Sequence, residues 1–135
     1  MSELPPELER AKQFHGHLGP YLTVGLKMGE AITRRFGHTP FSFKIEAFTG
    51  STPPVSCIVD GLQLSTPGTV GNGGIKIMEA TVPCAVAFKQ GEQLEVRLRP
   101  EVLEGIRNCE DKAQETLALR LWKMPEQQLF QIRTL

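Results

Sequence analysis

Apolar and polar positions alternate along this chain with two periods, and the change from one to the other marks its elements. Pro5 and Pro6 open a short helix reaching about residue 13, with Leu8 and Ala11 on its apolar side. Pro20 opens a longer helix that ends near Phe36. There Tyr21, Gly25, Met28 and Ile32 recur at helical spacing, and Leu22 and Leu26 widen the stripe. Gly25 and Gly29 lie one turn apart, so another element can approach closely, at a cost to the helix of about 1 kcal/mol each relative to alanine. Arg34 and Arg35 suit the last turn, and Gly37 suits the position after it.

Phe41, Phe43, Ile45 and Ala47 then alternate with Ser42, Lys44 and Glu46, the pattern of a half-buried strand. After a loop from Thr49 to Pro54, Val55, Ile58, Val59 and Leu62 return to helical spacing, with Ser56, Cys57, Asp60 and Gln63 on the opposite side. A long glycine-rich loop runs from Ser65 to Gly74. Three strands follow, from Ile75 to about Val82, through Cys84, Val86 and Phe88, and through Leu94, Val96 and Leu98, whose neighbours Glu95, Arg97 and Arg99 face outward. Lys89 to Glu92 form the hairpin between the last two. Pro100 starts a short helix, and Glu110 and Asp111 open another in which Ala113, Leu117 and Leu121 recur. Met124-Pro125 stops it, and the alternating tail from Phe130 to Thr134 is a final strand. This order is not a regular strand–helix alternation. It predicts an α+β fold over residues 1–135, a single domain with helices packed on a mainly antiparallel sheet.

Composition narrows the function. A chain of 135 residues buries a core without disulfides. Its 15 basic and 15 acidic residues cancel, which removes the broad electrostatic footprint of a nucleic-acid binder and leaves room only for a local patch. No apolar run is long enough to cross a bilayer, and the start Met1-Ser2-Glu3-Leu4 lacks the pattern of a signal peptide. Three cysteines do not suggest a disulfide framework, so the expectation is a cytoplasmic protein with reduced thiols, no nucleic acid and no membrane.

The densest chemistry lies in Phe14-His15-Gly16-His17-Leu18-Gly19-Pro20. Two imidazoles one residue apart at a helix entry are a candidate metal site, or else loop residues bonded to nearby backbone. A zinc site takes three or four protein ligands, so another must come from elsewhere. Cys57, on the polar side of its helix, is the best candidate, against the alternative of a small buried hydrophobe. Asp60, one turn on, reads as a fourth ligand, a partner orienting a histidine, or an exposed helix residue. Cys84 reads as core, Cys109 has no evident partner, and His38 reads as a turn residue. The Gly68–Gly74 loop is not a phosphate-binding P-loop, because it lacks the Lys-Ser/Thr ending and leads into a strand. It reads as a rim of the site or a flexible connection.

These residues resemble a known family. Phe14 to Pro20, with Gly25 and Met28-Gly29, resembles the FHGHLCPGxxxGxxMG opening of the formylmethanofuran dehydrogenase E-subunit family. Ser56-Cys57-Ile58-Val59-Asp60-Gly61-Leu62-Gln63 is similar to its SCxVDxxQ helix, and Thr69, Gly71 and Gly73 to its TFGKGN-like loop. The resemblance spans about Phe14 to Phe88. It implies an α+β core domain, often a homodimer, with a divalent metal, zinc by its chemistry, held by His15, His17 and Cys57. Asp60 and Gln63 would lie beside the metal. Gly19 and Gly68 stand where the family carries cysteines, and Asn72 near its lysine. Their loss leaves either an open metal position or a site for a small-molecule ligand. Two other roles are a non-catalytic ligand-binding module and an accessory subunit of a redox or one-carbon complex. The residues name no reaction and no catalytic group.

Overall fold

The computed structural model describes residues 4–135, folded as six α-helices, a short 3-10 turn and one five-stranded sheet. Helix α1 spans Pro6–His15 and α2 spans Pro20–Phe36. Strand β1 (Lys44–Phe48) precedes α3 (Cys57–Ser65). Strands β2 (Ile75–Met78), β3 (Cys84–Lys89) and β4 (Glu92–Leu98) follow. Then come α4 (Pro100–Arg107), α5 (Gln114–Lys123), α6 (Glu126–Leu129) and β5 (Phe130–Thr134). The sheet order is β2-β1-β3-β4-β5, with every pairing antiparallel except β1 with β2. The α+β expectation stands. Within it, β1-α3-β2 is one strand–helix–strand crossover, the connection that a parallel neighbour requires.

Local chemistry sets the ends that matter for the site. Helix α1 runs to His15, past its expected end, because Gly16 takes a left-handed φ of 107° and donates its N–H to the Lys12 carbonyl. Gly19 is extended, with φ −126°, and Pro20 starts α2. Helix α3 starts at Cys57 rather than Val55, since turns closed by Ser56 N–H on Thr52 O and Cys57 N–H on Pro54 O occupy the preceding residues. The alternation counted from Phe41 overshoots β1. Phe41 has φ 63° and is 77% exposed in a turn, while Phe43 is buried against Phe36. Strand β2 stops at Met78, whose carbonyl accepts from the N–H groups of Thr49 and Gly50.

Helices cover one face of the sheet. Ile45, Ala47, Ala85, Ala87, Leu94 and Val96 meet Val24, Met28 and Ile32 of α2 and Ile58 and Leu62 of α3 in the main core. A second cluster of Leu8, Ala11, Leu18, Leu22, Leu26 and Ala118 fastens α1 to α2 and α5. Cys84 is buried as expected, but alternation with Ala85 turns it to the other face of the sheet, and burial pushes its thiol up. Helices α2 and α3 cross at glycines. A Cβ on Gly25 would lie 2.1 Å from the Ile58 carbonyl oxygen, and one on Gly61 2.4 Å from that of Leu22. Ser65 Oγ donates to Gly61 O at 2.7 Å beside this crossing.

The glycine-rich loop is a turn held by side-chain hydrogen bonds. Asn72 Oδ1 accepts from Thr69 N–H at 2.9 Å and Gly74 N–H at 2.8 Å, and its Nδ2 donates to Pro67 O at 3.0 Å. Replacing Asn72 by alanine leaves these backbone groups without that partner. The expected loss is about 1–3 kcal/mol in urea unfolding. Hydrogen exchange at the Thr69 and Gly74 amides should accelerate beyond the global change. No helix among the described residues is long and apolar enough to cross a membrane.

Candidate functional site

The site is built where the C-terminal end of α1 meets α3. His15 is the last residue of α1 and Asp60 lies in the first turn of α3. Nδ1 of His15 is 2.6 Å from Oδ2 of Asp60, with the His15 side chain 12% exposed. A carboxylate only accepts, so the shared proton belongs on Nδ1, and a neutral ring then keeps its Nε2 lone pair free. Gln63, one turn further along α3, donates from Nε2 to Asp60 Oδ1 at 3.4 Å. Its Oε1 accepts the Val70 N–H at 2.9 Å, which ties the glycine-rich loop to the same network. Asp60 is thus half-buried and hydrogen-bonded to a histidine.

His17 follows the left-handed Gly16, and its ring centroid lies 5.1 Å from that of His15. A Cβ on Gly19 would stand 3.2 Å from His17 Nε2, so a side chain at residue 19 would come against that imidazole. Cys57 is partly buried at the start of α3, one turn before Asp60. Burial, and then the Asp60 carboxylate, push its thiol up. The atoms nearest a Cβ on Gly68 belong to Gly74 and Ile75, and none belongs to a histidine. Phe14 and Val70, 57% and 48% exposed, are the exposed apolar residues next to the two ends of this network.

The donor chemistry fits a borderline metal in part. Two neighbouring imidazoles are in place, and one is held by a carboxylate. Yet no three His, Cys, Asp or Glu side chains among the described residues are gathered closely enough to hold an ion. Cys57 would have to reorient to become a third ligand. His38 lies elsewhere, on a groove of about 720 Å3 beside Glu30 and Trp122. Cys109 donates weakly to the Glu110 carbonyl. Sequence patterns did not show that residues 15 and 60 touch, because helical periodicity places Asp60 on a face without saying what that face meets.

A sheet covered by helices on one face, with a histidine–aspartate pair at the junction of α1 and α3, defines a small α+β domain with a polar site at its helical end. The chain belongs to the FmdE family, described as "FmdE, Molybdenum formylmethanofuran dehydrogenase operon", whose profile matches residues 14–134. A solved FmdE-like protein from Syntrophus aciditrophicus, named for the E-subunit of a tungsten formylmethanofuran dehydrogenase, superposes with a TM-score of 0.67 at 21% identity. The match covers 95% of this chain and 69% of that one. At that identity the likeness shows the fold. A curated protein of Archaeoglobus fulgidus, named a probable S-adenosyl-L-methionine-binding protein, is 30% identical over 76 residues, 55% of this chain. The match takes in 21% of that protein, so the chain spans well under half the length of the curated relative it matches.

Proposed function

We propose that this FmdE-family domain binds a divalent metal, zinc by preference, through His15 and His17, with Cys57 recruited as a third ligand and Asp60 orienting His15. The observation that carries the reading is the 2.6 Å contact between His15 Nδ1 and Asp60. It directs Nε2 away from the carboxylate and fixes the orientation of the ring, as in carboxylate–histidine–zinc arrangements. Imidazole with thiolate suits zinc, and three protein ligands would leave a fourth position open. Gly19, which stands beside His17 where the resembled motif has a cysteine, leaves the site short of one sulfur. When bound, such an ion would supply Lewis-acid chemistry, polarising a carbonyl or a water. His15, Asp60 and Gln63 would fix its direction of approach.

The test is metal content after purification without chelator and after equilibration with zinc. Wild type should retain close to one zinc per chain. His15→Ala combined with His17→Ala should retain almost none. Asp60→Asn should weaken affinity by about 10–100-fold. Equal, near-zero metal in wild type and the double variant would overturn the proposal. A cytoplasmic homodimer belongs to the same reading. Its cytoplasmic half is supported by Cys57, Cys84 and Cys109 being free thiols, as a reducing compartment keeps them, and its homodimer half rests on the family resemblance alone.

A second reading has its own support in the curated relative's name. The same polar site would hold a small organic ligand without metal, with S-adenosyl-L-methionine the first compound to try. A ligand-induced rise in melting temperature that persists in chelator favours this reading over the first.

A further inference from the structure

The far face of the sheet carries a second polar cluster, unrelated to the histidines. Leu94, Val96 and Leu98 point into the core, so Glu95, Arg97 and Arg99 point to the side away from α3. Across the β4–β5 ladder, Arg133 stands opposite Glu95. Glu95 is only 6% exposed, an unusual place for a carboxylate. It is held there by Arg133, from Nε at 3.3 Å and from a terminal nitrogen at 3.1 Å, and by Arg97 Nε at 3.4 Å.

The way these arginines are held matters more than their number. Arg97 and Arg133 are anchored through Nε to Glu95, and Arg99 through Nε to the Gln127 carbonyl at 2.8 Å. A guanidinium has five N–H groups in a fixed fork. Fixing the Nε end leaves the terminal nitrogens of Arg97 and Arg99 without a protein acceptor among the described residues. All three arginines line one concavity of about 680 Å3, whose sole acidic lining residue is Glu95. Two positive charges are therefore uncompensated there, on a chain whose formal net charge is zero. Buried Glu95 acts as an internal anchor that presents guanidiniums outward at reduced entropic cost.

We propose that this concavity is an oxyanion site that takes the phosphate group of a small molecule. Planar guanidinium forks match phosphate oxygens in pairs, and two surplus charges match a phosphate dianion. Confinement to one concavity of a neutral chain argues against an extended polyanion such as nucleic acid, which needs charge spread along a track.

Inorganic pyrophosphate, titrated calorimetrically at constant ionic strength against a chloride blank, tests the site. Wild type should bind it saturably. Arg97→Gln and Arg99→Gln should each weaken binding by about tenfold or more, the loss of one charge-assisted pair. Arg35→Gln, on an exposed pair with Glu92, should not change it. Arg133→Gln risks the fold by releasing buried Glu95. Arg99→Gln does not carry that risk, because the one side-chain hydrogen bond of Arg99 among the described residues is to a backbone carbonyl. Absence of saturable binding, or equal binding by wild type and Arg99→Gln, would overturn the proposal. So would tight, salt-sensitive binding of a single-stranded oligonucleotide with no response to pyrophosphate. Zinc content should be the same in all these variants, which separates this site from the histidine pair.

Discussion

Gly25→Ala is expected to cost about 3 kcal/mol or more, although in an open helix the same change would gain about 1 kcal/mol. The added Cβ would lie 2.1 Å from the Ile58 carbonyl oxygen and 2.9 Å from the Gly61 Cα. Both are backbone atoms, so no rotamer change relieves the clash and α3 has to move away. At Gly29 the obstacle is the Ser65 side chain, at 1.7 Å from Oγ, which can rotate, so Gly29→Ala should cost less. Gly105 in α4 has nothing within 4 Å of its would-be Cβ. Gly105→Ala should therefore be neutral or stabilise by about 0.5–1 kcal/mol, the ordinary helix gain. Urea unfolding followed by fluorescence of the single tryptophan, Trp122, measures all three. Domain stabilities are about 5–15 kcal/mol, so the Gly25 loss is a large share of the whole. Since α3 carries Asp60, its displacement should, under the proposed ligation, also weaken metal retention. If Gly25→Ala behaved like Gly105→Ala, the close α2–α3 crossing would be wrong.

That crossing was partly legible in the sequence. The one-turn spacing of Gly25 and Gly29 announces a close neighbour, but it does not name α3. Apolar period and turn residues likewise located α2, β3, β4 and β5, because each buries one face and obeys its own geometry. The misplacements have physical causes. Phe41 matched the alternation of β1 but lies in a turn, as alternation scores side chains and is blind to a positive φ. The parallel β1–β2 pairing depends on how α3 packs, a long-range fact. The loop around Asn72 reads by its glycines as a rim of the site or a flexible connection, and composition does not show that one amide side chain bonds across it. At the candidate site the motifs singled out His15, His17, Cys57 and Asp60. Contact between His15 and Asp60 needs two helices to meet, and helical spacing alone leaves Asp60 with several roles.

Under the proposed ligation, Gly19→Cys should raise zinc affinity by about tenfold or more, by supplying a strong sulfur ligand. Residue 19 is extended at φ −126°, a conformation that any L-residue adopts, so the substitution brings no backbone strain. Its Cβ would stand 3.2 Å from His17 Nε2, so the imidazole must shift by a few tenths of an ångström. The sulfur, one bond further, then has rotamers that bring it to the imidazole. Cobalt in place of zinc reports the ligand directly, because thiolate-to-cobalt charge transfer absorbs in the near ultraviolet. Under the proposed ligation wild type shows this band through Cys57, and Cys57→Ser loses it. Adding Gly19→Cys to Cys57→Ser should restore the band, together with much of the lost affinity. The other cysteines do not confuse the reading, since Cys84 lies on the far side of the sheet and Cys109 follows α4. Band restoration by residue 19 places the ion beside His17. If the double variant gains neither band nor affinity, no metal ion sits at His17. His15 and Asp60 would then act as a metal-free polar pair, and the small-ligand reading would take precedence.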